Sequence, residues 1–238
     1  MPAWLAICYG QVPQLTPEGK FVLLPEILRI HPDLPEESLV RYVADQIRAG
    51  QVLGMPTDTF YGLAADPYNL NAVERVYEIK SRSRHKPLSL LIASIDQAEE
   101  LSRPLPQEFY LLARKFWPGP LTIIVKASAR LPLKVTANTG NVALRVPAAA
   151  IPIAVINAAG CPITATSANL SGERECTTAD AVRDQLGERI QIIVDGGSAP
   201  REVASTIVDL SGEAGIGFRV VREGAIPTSA IMEVYEQR

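Results

Sequence analysis

The chain has 238 residues, of which 47% are hydrophobic and 21% are charged, and its 23 basic and 26 acidic residues give a net charge of −3. The apolar content excludes a disordered chain, the absence of any period excludes collagen and coiled coils, and the acidic balance argues against a dedicated duplex-DNA-binding protein. No run of about 18 apolar residues lacks a charge or proline, which predicts a soluble protein with no membrane partner.

Three cysteines without a CxxC pair predict reduced thiols rather than a disulfide framework or a zinc ribbon. The N-terminus has no basic segment ahead of its short apolar run, so it does not resemble a signal peptide. Together these features predict a cytoplasmic protein.

Residues 1–30 show no clean periodicity, and we interpret them as an N-terminal extension ahead of a single domain over 31–238. The first helix is predicted to begin near Asp33, because Asp33 and Glu36 have the spacing of a capping box and an amphipathic apolar stripe follows. Gly50 then stands where a helix C-terminal glycine is expected.

A short strand over 52–55 is predicted next, followed by the loop 56–62 and a second helix capped by Asn69. Further helices are predicted at 96–101, 106–116, 148–159, 178–186 and 228–237, and strands at 88–92, 121–126, 142–146, 162–166, 190–194, 203–209 and 217–221. Helices alternating with strands predict a layered α/β fold, and the two final strands, which follow each other directly, make its sheet mixed.

Several common sites are absent from the sequence, which contains no GxxxxGK[ST], GxGxxG, HExxH or GxSxG motif. The two histidines cannot assemble a histidine-rich metal site, and no pattern supports a histidine-based nucleophile triad. If the protein is an enzyme, the sequence predicts one that works without a covalent intermediate and without a metal held by protein ligands.

A basic cluster lies between the second helix and the buried strand at 88–92 and consists of Lys80, Arg82, Arg84 and Lys86. Arginine offers a planar fork and lysine a point charge, so the cluster is suited to clamp a polyphosphate. The structural alternative is a solvated basic turn, because cations are favoured at a helix C-terminus.

Small hydroxyl and amide residues form three further candidate sites: the loop with Thr57 and Thr59, the segment 164–169, and Ser205 with Thr206. Such residues at the ends of strands can hydrogen-bond a ligand, although the same residue types also serve as ordinary turns and caps. Arg145 is a charge inside a predicted strand and needs a partner there. An internal carboxylate or a bound anion would serve.

Six motifs follow one another along the chain. They are Pro-Thr-Asp-Thr-x-Tyr-Gly-Leu from Pro56, Lys-x-Arg from Lys80 with a lysine shortly after, Pro-Gly-Pro-Leu-Thr at 118–122, Leu-Arg-Val-Pro around Arg145, Thr-Ser-Ala-Asn at 166–169 and Ser-Thr-Ile-Val-Asp from Ser205. The ordered set resembles the YrdC/Sua5 family of threonylcarbamoyl-AMP synthases over about residues 34–226. The resemblance implies a twisted, open mixed sheet with helices packed on it and a concave, basic surface.

The resemblance also implies a nucleotidyltransferase that converts L-threonine, bicarbonate and ATP into threonylcarbamoyl-AMP and pyrophosphate. Magnesium on the polyphosphate is expected with it, and the product would serve the N6-threonylcarbamoyl modification of adenosine 37 in tRNA. Carried over by motif, the implied threonine contacts are Thr59, Arg145, Ala165 and Ser205. The implied ATP contacts are Lys80, Arg82, Lys86, Asn141, Ser167, Asn169 and Arg222, with Lys80 and Arg82 as the catalytic pair.

The sequence departs from the family pattern at four positions. Ser83 replaces a common proline, Leu91 stands where long members have a histidine, and Glu175 lies near the position of a serine. Arg-Glu-Gly at 222–224 replaces Arg-Pro-Gly and is a form associated with the YciO-like branch. The alternatives are therefore a YciO-like paralogue with weak or different activity, or a non-catalytic module that binds tRNA or double-stranded RNA. Partner proteins that modify tRNA are expected downstream of a synthase.

Overall fold

The computed structural model describes residues 13–15, 21–212 and 218–236. Its helices are α1 (Glu37–Arg48), α2 (Leu70–Lys80), α3 (Ile95–Leu101), α4 (Gln107–Phe116), α5 (Leu133–Thr136), α6 (Ala150–Ala159), α7 (Ala179–Leu186) and α8 (Thr228–Glu236). Its strands are β1 (Pro13–Leu15), β2 (Phe21–Leu23), β3 (Glu26–Arg29), β4 (Leu53–Met55), β5 (Gly62–Ala64), β6 (Ser89–Leu91), β7 (Leu121–Lys126), β8 (Asn141–Arg145), β9 (Ile163–Thr164), β10 (Thr166–Ser167), β11 (Ile192–Asp195), β12 (Thr206–Asp209) and β13 (Arg219–Arg222).

The strands form two open mixed sheets and a separate two-stranded ribbon of β1 and β2. The five-stranded sheet has the order β10-β5-β4-β11-β3, and the six-stranded sheet has the order β13-β12-β7-β8-β6-β9. The predicted mixed α/β class is confirmed, and so is the antiparallel pairing of the last two strands, β12 and β13. The strands are divided between two sheets, a division that the sequence did not indicate.

Strand β3 lies inside the range predicted to be an extension, yet it pairs in parallel along the whole of β11, from Glu26 opposite Ile192 to Arg29 opposite Asp195. The predicted boundary at residue 30 therefore falls too late, because this strand completes the five-stranded sheet. Two parts of the predicted extension (1–12 and 16–20), residue 217 of the last predicted strand and residue 237 of the last predicted helix lie outside the described residues. The single domain over the remaining chain stays a prediction.

The predicted strand over 162–166 is two strands in two different sheets. Strand β9 pairs with β6 in the six-stranded sheet, and β10 pairs with β5 in the five-stranded sheet. The chain therefore passes from one sheet to the other at Ala165. The sequence pattern hides this change, because periodicity reports burial and not the strand partner.

Helix α1 buries the predicted stripe, since Val40, Val43, Ala44 and Ile47 are all buried. The predicted capping box does not form: the Glu36 carboxylate accepts from the backbone N–H of His31 at 3.0 Å, and the backbone N–H of Asp33 donates to the His31 imidazole. Pro35 explains the difference, because the residue before a proline is driven out of the helical conformation. The helix consequently begins only after it.

Helix α2 follows the prediction closely. The side-chain oxygen of Asn69 accepts from the backbone N–H groups of Asn71 and Ala72, each at 3.1 Å, so Asn69 is the predicted N-cap. The helix ends at Lys80, and Ser81 then adopts a left-handed conformation with φ of 50°. This turn brings Arg82 toward the six-stranded sheet.

Two clusters of buried apolar side chains hold these layers together. One joins α2, α4 and the six-stranded sheet, and the other packs α1 and α6 against the five-stranded sheet. Within the described residues, no helix has the length and apolar character needed to cross a lipid bilayer. Cys161 and Cys176 are free thiols, and Cys8 lies outside the described residues.

Candidate functional site

A polar cavity of about 200 Å³ lies where the two sheets meet, and both sheets contribute to its wall. The five-stranded sheet and its connections supply Thr57, Thr59, Gly62, Ala165, Thr166 and Ser167. The six-stranded sheet and its connections supply Arg82, Ser89, Leu90, Leu91, Thr122, Arg145, Ser205, Ile207 and Arg222. Seven residues predicted from sequence therefore meet here: Thr59, Arg82, Arg145, Ala165, Ser167, Ser205 and Arg222.

Arg145 is the most thoroughly held charge of the cavity. Its guanidinium donates to Gly119 O at 2.9 Å, to Thr59 Oγ1 at 2.9 Å and to Asp58 Oδ1 at 2.5 Å. Both members of the Arg145–Asp58 ion pair are buried, with side-chain exposures of 8% and 3%. Of the two partners that the sequence left open for Arg145, the described residues supply the internal carboxylate.

The guanidinium still has donors to spare. Arginine carries five N–H groups, and the three bonds to protein oxygens use three of them. Burial lowers the pKa of Arg145, and the Asp58 carboxylate opposes that shift. An arginine pKa starts so high that the group stays charged, so Arg145 can also bind an anionic ligand in the cavity.

Arg82 and Arg222 differ from Arg145 because neither forms an ion pair with any described residue. Arg82 donates from Nη2 to Pro87 O at 3.0 Å, while its Nε is buried without a hydrogen-bond partner. Burial lowers the pKa of Arg82. Arg222 donates to Ser205 O at 2.8 Å and to Ser205 Oγ at 3.3 Å, which are neutral acceptors. Arg82 is half-buried and Arg222 is exposed, so both keep N–H donors that suit an anionic ligand, although the Glu175 carboxylate lines the same cavity.

Lys80 lies behind the cavity rather than in its wall. Its ammonium is buried among neutral oxygens and donates to Ser167 O, to Asn169 O at 2.9 Å and to Asn169 Oδ1 at 2.8 Å. Burial, reinforced by the charge of Arg82, lowers the pKa of Lys80 to about 8. These contacts make Lys80 a clamp on the segment that carries Ser167.

Three other predicted ATP contacts do not line the cavity either. Lys86 is exposed, and Asn141 starts β8 at the end opposite to Arg145. Asn169 accepts from Lys80 and from Ser167 Oγ behind the wall. The predicted roles of these residues stay predictions. The basic cluster thus divides, because Arg84 pairs with Glu74 on the surface, as its structural alternative predicted.

Hydroxyl groups line the remaining wall. Ser205 Oγ and Thr122 Oγ1 are 2.9 Å apart and link the β7 and β12 ends of the cavity. Thr57 Oγ1 donates to Phe60 O at 2.7 Å, so Thr57 serves mainly as the turn cap that the structural alternative predicted. Thr59 keeps its hydroxyl beside Arg145. Thr206 is fully buried and donates to Ile226 O, which makes it structural.

The sequence predicted no site role for Asp58 or Thr122, although both lie inside motifs that it quoted. Their spacing within those motifs was the available signal, whereas their partners lie far away along the chain. Leu91 and Glu175, whose part in the site was left open, both line the cavity. Among the described residues, no group of three or more His, Cys, Asp or Glu side chains could hold a metal ion.

The fold and the cavity define an α/β protein with a polar cavity, lined by three arginines, between two sheets. A family model described as Sua5_yciO_yrdC, "Telomere recombination", matches residues 45–224, and the chain therefore belongs to the Sua5/YciO/YrdC family.

Two curated relatives are named threonylcarbamoyl-AMP synthase. The Pyrococcus abyssi protein is 38% identical over 199 residues, which cover 84% of this chain and 58% of the relative. The Bacillus subtilis protein is 39% identical over 197 residues, covering 82% of this chain and 56% of the relative. The chain thus spans less than two thirds of the length of these two relatives.

Solved structures agree with the sequence relatives. The structure of P. abyssi Sua5 complexed with L-threonine is 37% identical and superposes with a TM-score of 0.83 over 88% of this chain and 60% of that one. E. coli YciO is 26% identical, with a TM-score of 0.76 over 85% of this chain and 97% of that one. The two-sheet fold is therefore common to both branches of the family.

Proposed function

We propose that the chain is a threonylcarbamoyl-AMP synthase, which joins L-threonine, bicarbonate and ATP into threonylcarbamoyl-AMP, pyrophosphate and water. The observation that carries the proposal is a cavity with three arginines, of which only Arg145 has a carboxylate partner among the described residues. The names of the relatives and the threonine complex of P. abyssi Sua5 support the same substrate set.

The three arginines suggest how the two substrates divide the cavity. Arg145, with Thr59 and Ser205 nearby in the wall, takes the threonine carboxylate and hydroxyl. Arg82 and Arg222, which lack carboxylate partners, take the polyphosphate, and Ser167 adds a hydroxyl. Lys80 contributes by holding the segment of Ser167 in place.

The chemistry needs no side-chain nucleophile. The threonine amine and bicarbonate form a carbamate and release water, and the carbamate oxygen attacks the ATP α-phosphorus and expels pyrophosphate. Alignment of reactants in a fixed site can supply about 7–11 kcal/mol of the barrier, and fixed cations stabilise the charge that develops on the phosphoryl group. Magnesium belongs to the proposal as an ion carried mainly by phosphate oxygens and water.

The first test is pyrophosphate release from ATP and bicarbonate, measured with L-threonine, with L-serine and without an amino acid. The synthase predicts release that requires threonine and is lost in Arg145→Ala. ATP binding without any release would contradict the synthase and favour a YciO-like paralogue. Affinity for tRNA or double-stranded RNA with a steep salt dependence, and no release, would favour a binding module instead.

A matched pair of variants tests the polyphosphate role. Arg82→Gln removes a cation from the cavity wall, and Arg84→Gln removes an exposed cation two residues away that pairs with Glu74. Loss of a hydrogen bond to a charged group costs about 1.5–3 kcal/mol, so Arg82→Gln should lower kcat/KM for ATP about ten- to a hundredfold. Arg84→Gln should change it less than twofold. Equal effects of the two variants would show that the unpaired charge of Arg82 is not the cause.

The YciO-like form of the motif at 222–224 has a local explanation. The Glu223 carboxylate accepts from the backbone N–H of Thr228 at 2.8 Å and so caps the start of α8. Its side chain is therefore occupied outside the cavity.

The proposal also includes a cytoplasmic enzyme that delivers its product to tRNA-modifying proteins.

A further inference from the structure

We propose that Asp58 is a positioning residue that commits Arg145 to a carboxylate ligand and keeps it from binding polyphosphate. The inference rests on the proposed function and adds to it a cause for the division of the cavity between two anionic substrates. Neither the cavity wall nor the expected substrate contacts include Asp58. It acts on the ligand only through Arg145.

Three hydrogen bonds fix the Arg145 guanidinium in place. Asp58 Oδ1 lies 2.5 Å from Arg145 Nη2, while Thr59 Oγ1 and Gly119 O hold the other two nitrogens at 2.9 Å each. The guanidinium is therefore fixed from three chain segments. A planar donor group held in this way presents its remaining N–H groups in one orientation, which favours a planar carboxylate acceptor.

The charge of Asp58 also acts on Arg145. The side chain of Asp58 is 3% exposed, so its charge is poorly screened by water and offsets much of the charge of Arg145. Arg82 and Arg222 form no ion pair with a described residue, although the Glu175 carboxylate lines the same cavity. A ligand with several negative charges binds more strongly to Arg82 and Arg222. A single carboxylate can be held by the directed N–H groups of Arg145, although the Arg145–Asp58 pair is neutral overall. Asp58 thereby separates the two kinds of anion within one cavity.

An ion pair that only stabilised the fold would behave differently. Its loss would weaken the binding of every ligand of the cavity together, because the wall itself would be disturbed. The positioning role predicts opposite changes: Asp58→Asn frees the charge of Arg145 and loosens its orientation. Carboxylate binding should then weaken while polyphosphate binding strengthens.

The experiment measures binding by calorimetry at low ionic strength, with L-threonine and inorganic tripolyphosphate as separate probes. For Asp58→Asn we expect the Kd of threonine to rise about tenfold or more and the Kd of tripolyphosphate to fall severalfold. Asp33→Asn is the matched control, because Asp33 lines a second cavity together with Asp58 and carries the same charge without contacting Arg145. It should bind both probes like the wild type.

A double variant tests whether Asp58 acts through Arg145. Arg145→Gln should itself weaken threonine binding, and adding Asp58→Asn to it should change the remaining threonine affinity less than twofold, since the group that Asp58 orients is gone. The double variant lacks both members of the ion pair and so contains no unpaired buried charge. It is therefore expected to fold even if Asp58→Asn alone does not. If Asp58→Asn does not fold, Asp58→Ser, which leaves room for a water beside Arg145, takes its place in the binding measurements.

The outcomes separate this inference from the proposed function. If the wild type binds no threonine, both are overturned. If the wild type binds threonine and the Asp58 variants bind both probes as the wild type does, or lose the binding of both, the inference alone is overturned. An equal effect of Asp58→Asn with and without Arg145 would overturn it as well.

Discussion

Lys80 illustrates how a buried side chain can hold a segment of the cavity wall without lining the cavity itself. The sequence placed it first in a basic cluster, which suggested a phosphate contact. Its side chain, however, turns inward, and its ammonium donates hydrogen bonds to oxygens of Ser167 and Asn169. A lysine that is 2% exposed and forms no ion pair with a described residue carries a desolvation cost, which its lowered pKa expresses.

The lowered pKa predicts a pH dependence of stability. Between about pH 8 and 10.5 the folded protein has released the Lys80 proton while the unfolded chain still holds it, so the free energy of unfolding rises with pH across this window. The shift corresponds to about 3 kcal/mol. The unfolding free energy of the wild type minus that of Lys80→Met, measured in urea from pH 7 to 10, should therefore increase with pH. The exposed Lys86→Met variant is the control, and a pH-independent difference for Lys80→Met would contradict the prediction.

Arg145 shows where sequence reasoning stops at the scale of single residues. A charge in an apolar strand pattern indicated that a buried partner or an anion was needed, and this was correct. The partner, Asp58, is separated from it by 87 residues. Nothing in local periodicity connects two such positions, so only the packing of β8 against the loop after β4 identifies the pair.

At the scale of elements, a local signal identified the cap of α2 but not the start of α1, and local signals failed where the neighbouring strand decides. Asn69 was correctly predicted as a cap because its bonds reach only two and three residues ahead. Strand β3 and the division of 162–166 between two sheets were missed, because both depend on distant partners such as β11 and β6. Strand pairing is a tertiary property that a single sequence does not report.

The cap of α2 provides a test at this scale. Asn69→Ala removes the acceptor for two backbone N–H groups and should lower the free energy of unfolding by about 1 kcal/mol. Asn71→Ala, two positions along on the exposed side of the same helix, should leave stability unchanged or raise it slightly, because alanine is the better helix former. Chemical denaturation of both variants distinguishes the cap from general helix propensity. Equal losses would contradict the assignment of Asn69 as the N-cap.

At the scale of the whole molecule, the cavity exists because two sheets meet. The crossing at Ala165 joins them, and residues from β5 and β10 face residues from β6, β7, β8 and β12. Each wall alone is an ordinary set of strand ends with hydroxyl and basic side chains. The motifs could therefore be collected from the sequence as an ordered set, while the shape that makes them a site required the fold.

A site built from two sheets predicts that its ligands stabilise both. Threonine and a non-hydrolysable ATP analogue, each at about 100 times its Kd, should add about 2.7 kcal/mol per ligand to the free energy of unfolding. Hydrogen exchange should then slow in β10 of the five-stranded sheet and in β12 of the six-stranded sheet alike, since Ser167 and Ile207 line the same cavity. The Arg145→Gln variant should lose the protection given by threonine. Protection confined to one sheet would mean that the ligands bind on a single wall, and the cavity between the sheets would not be the site.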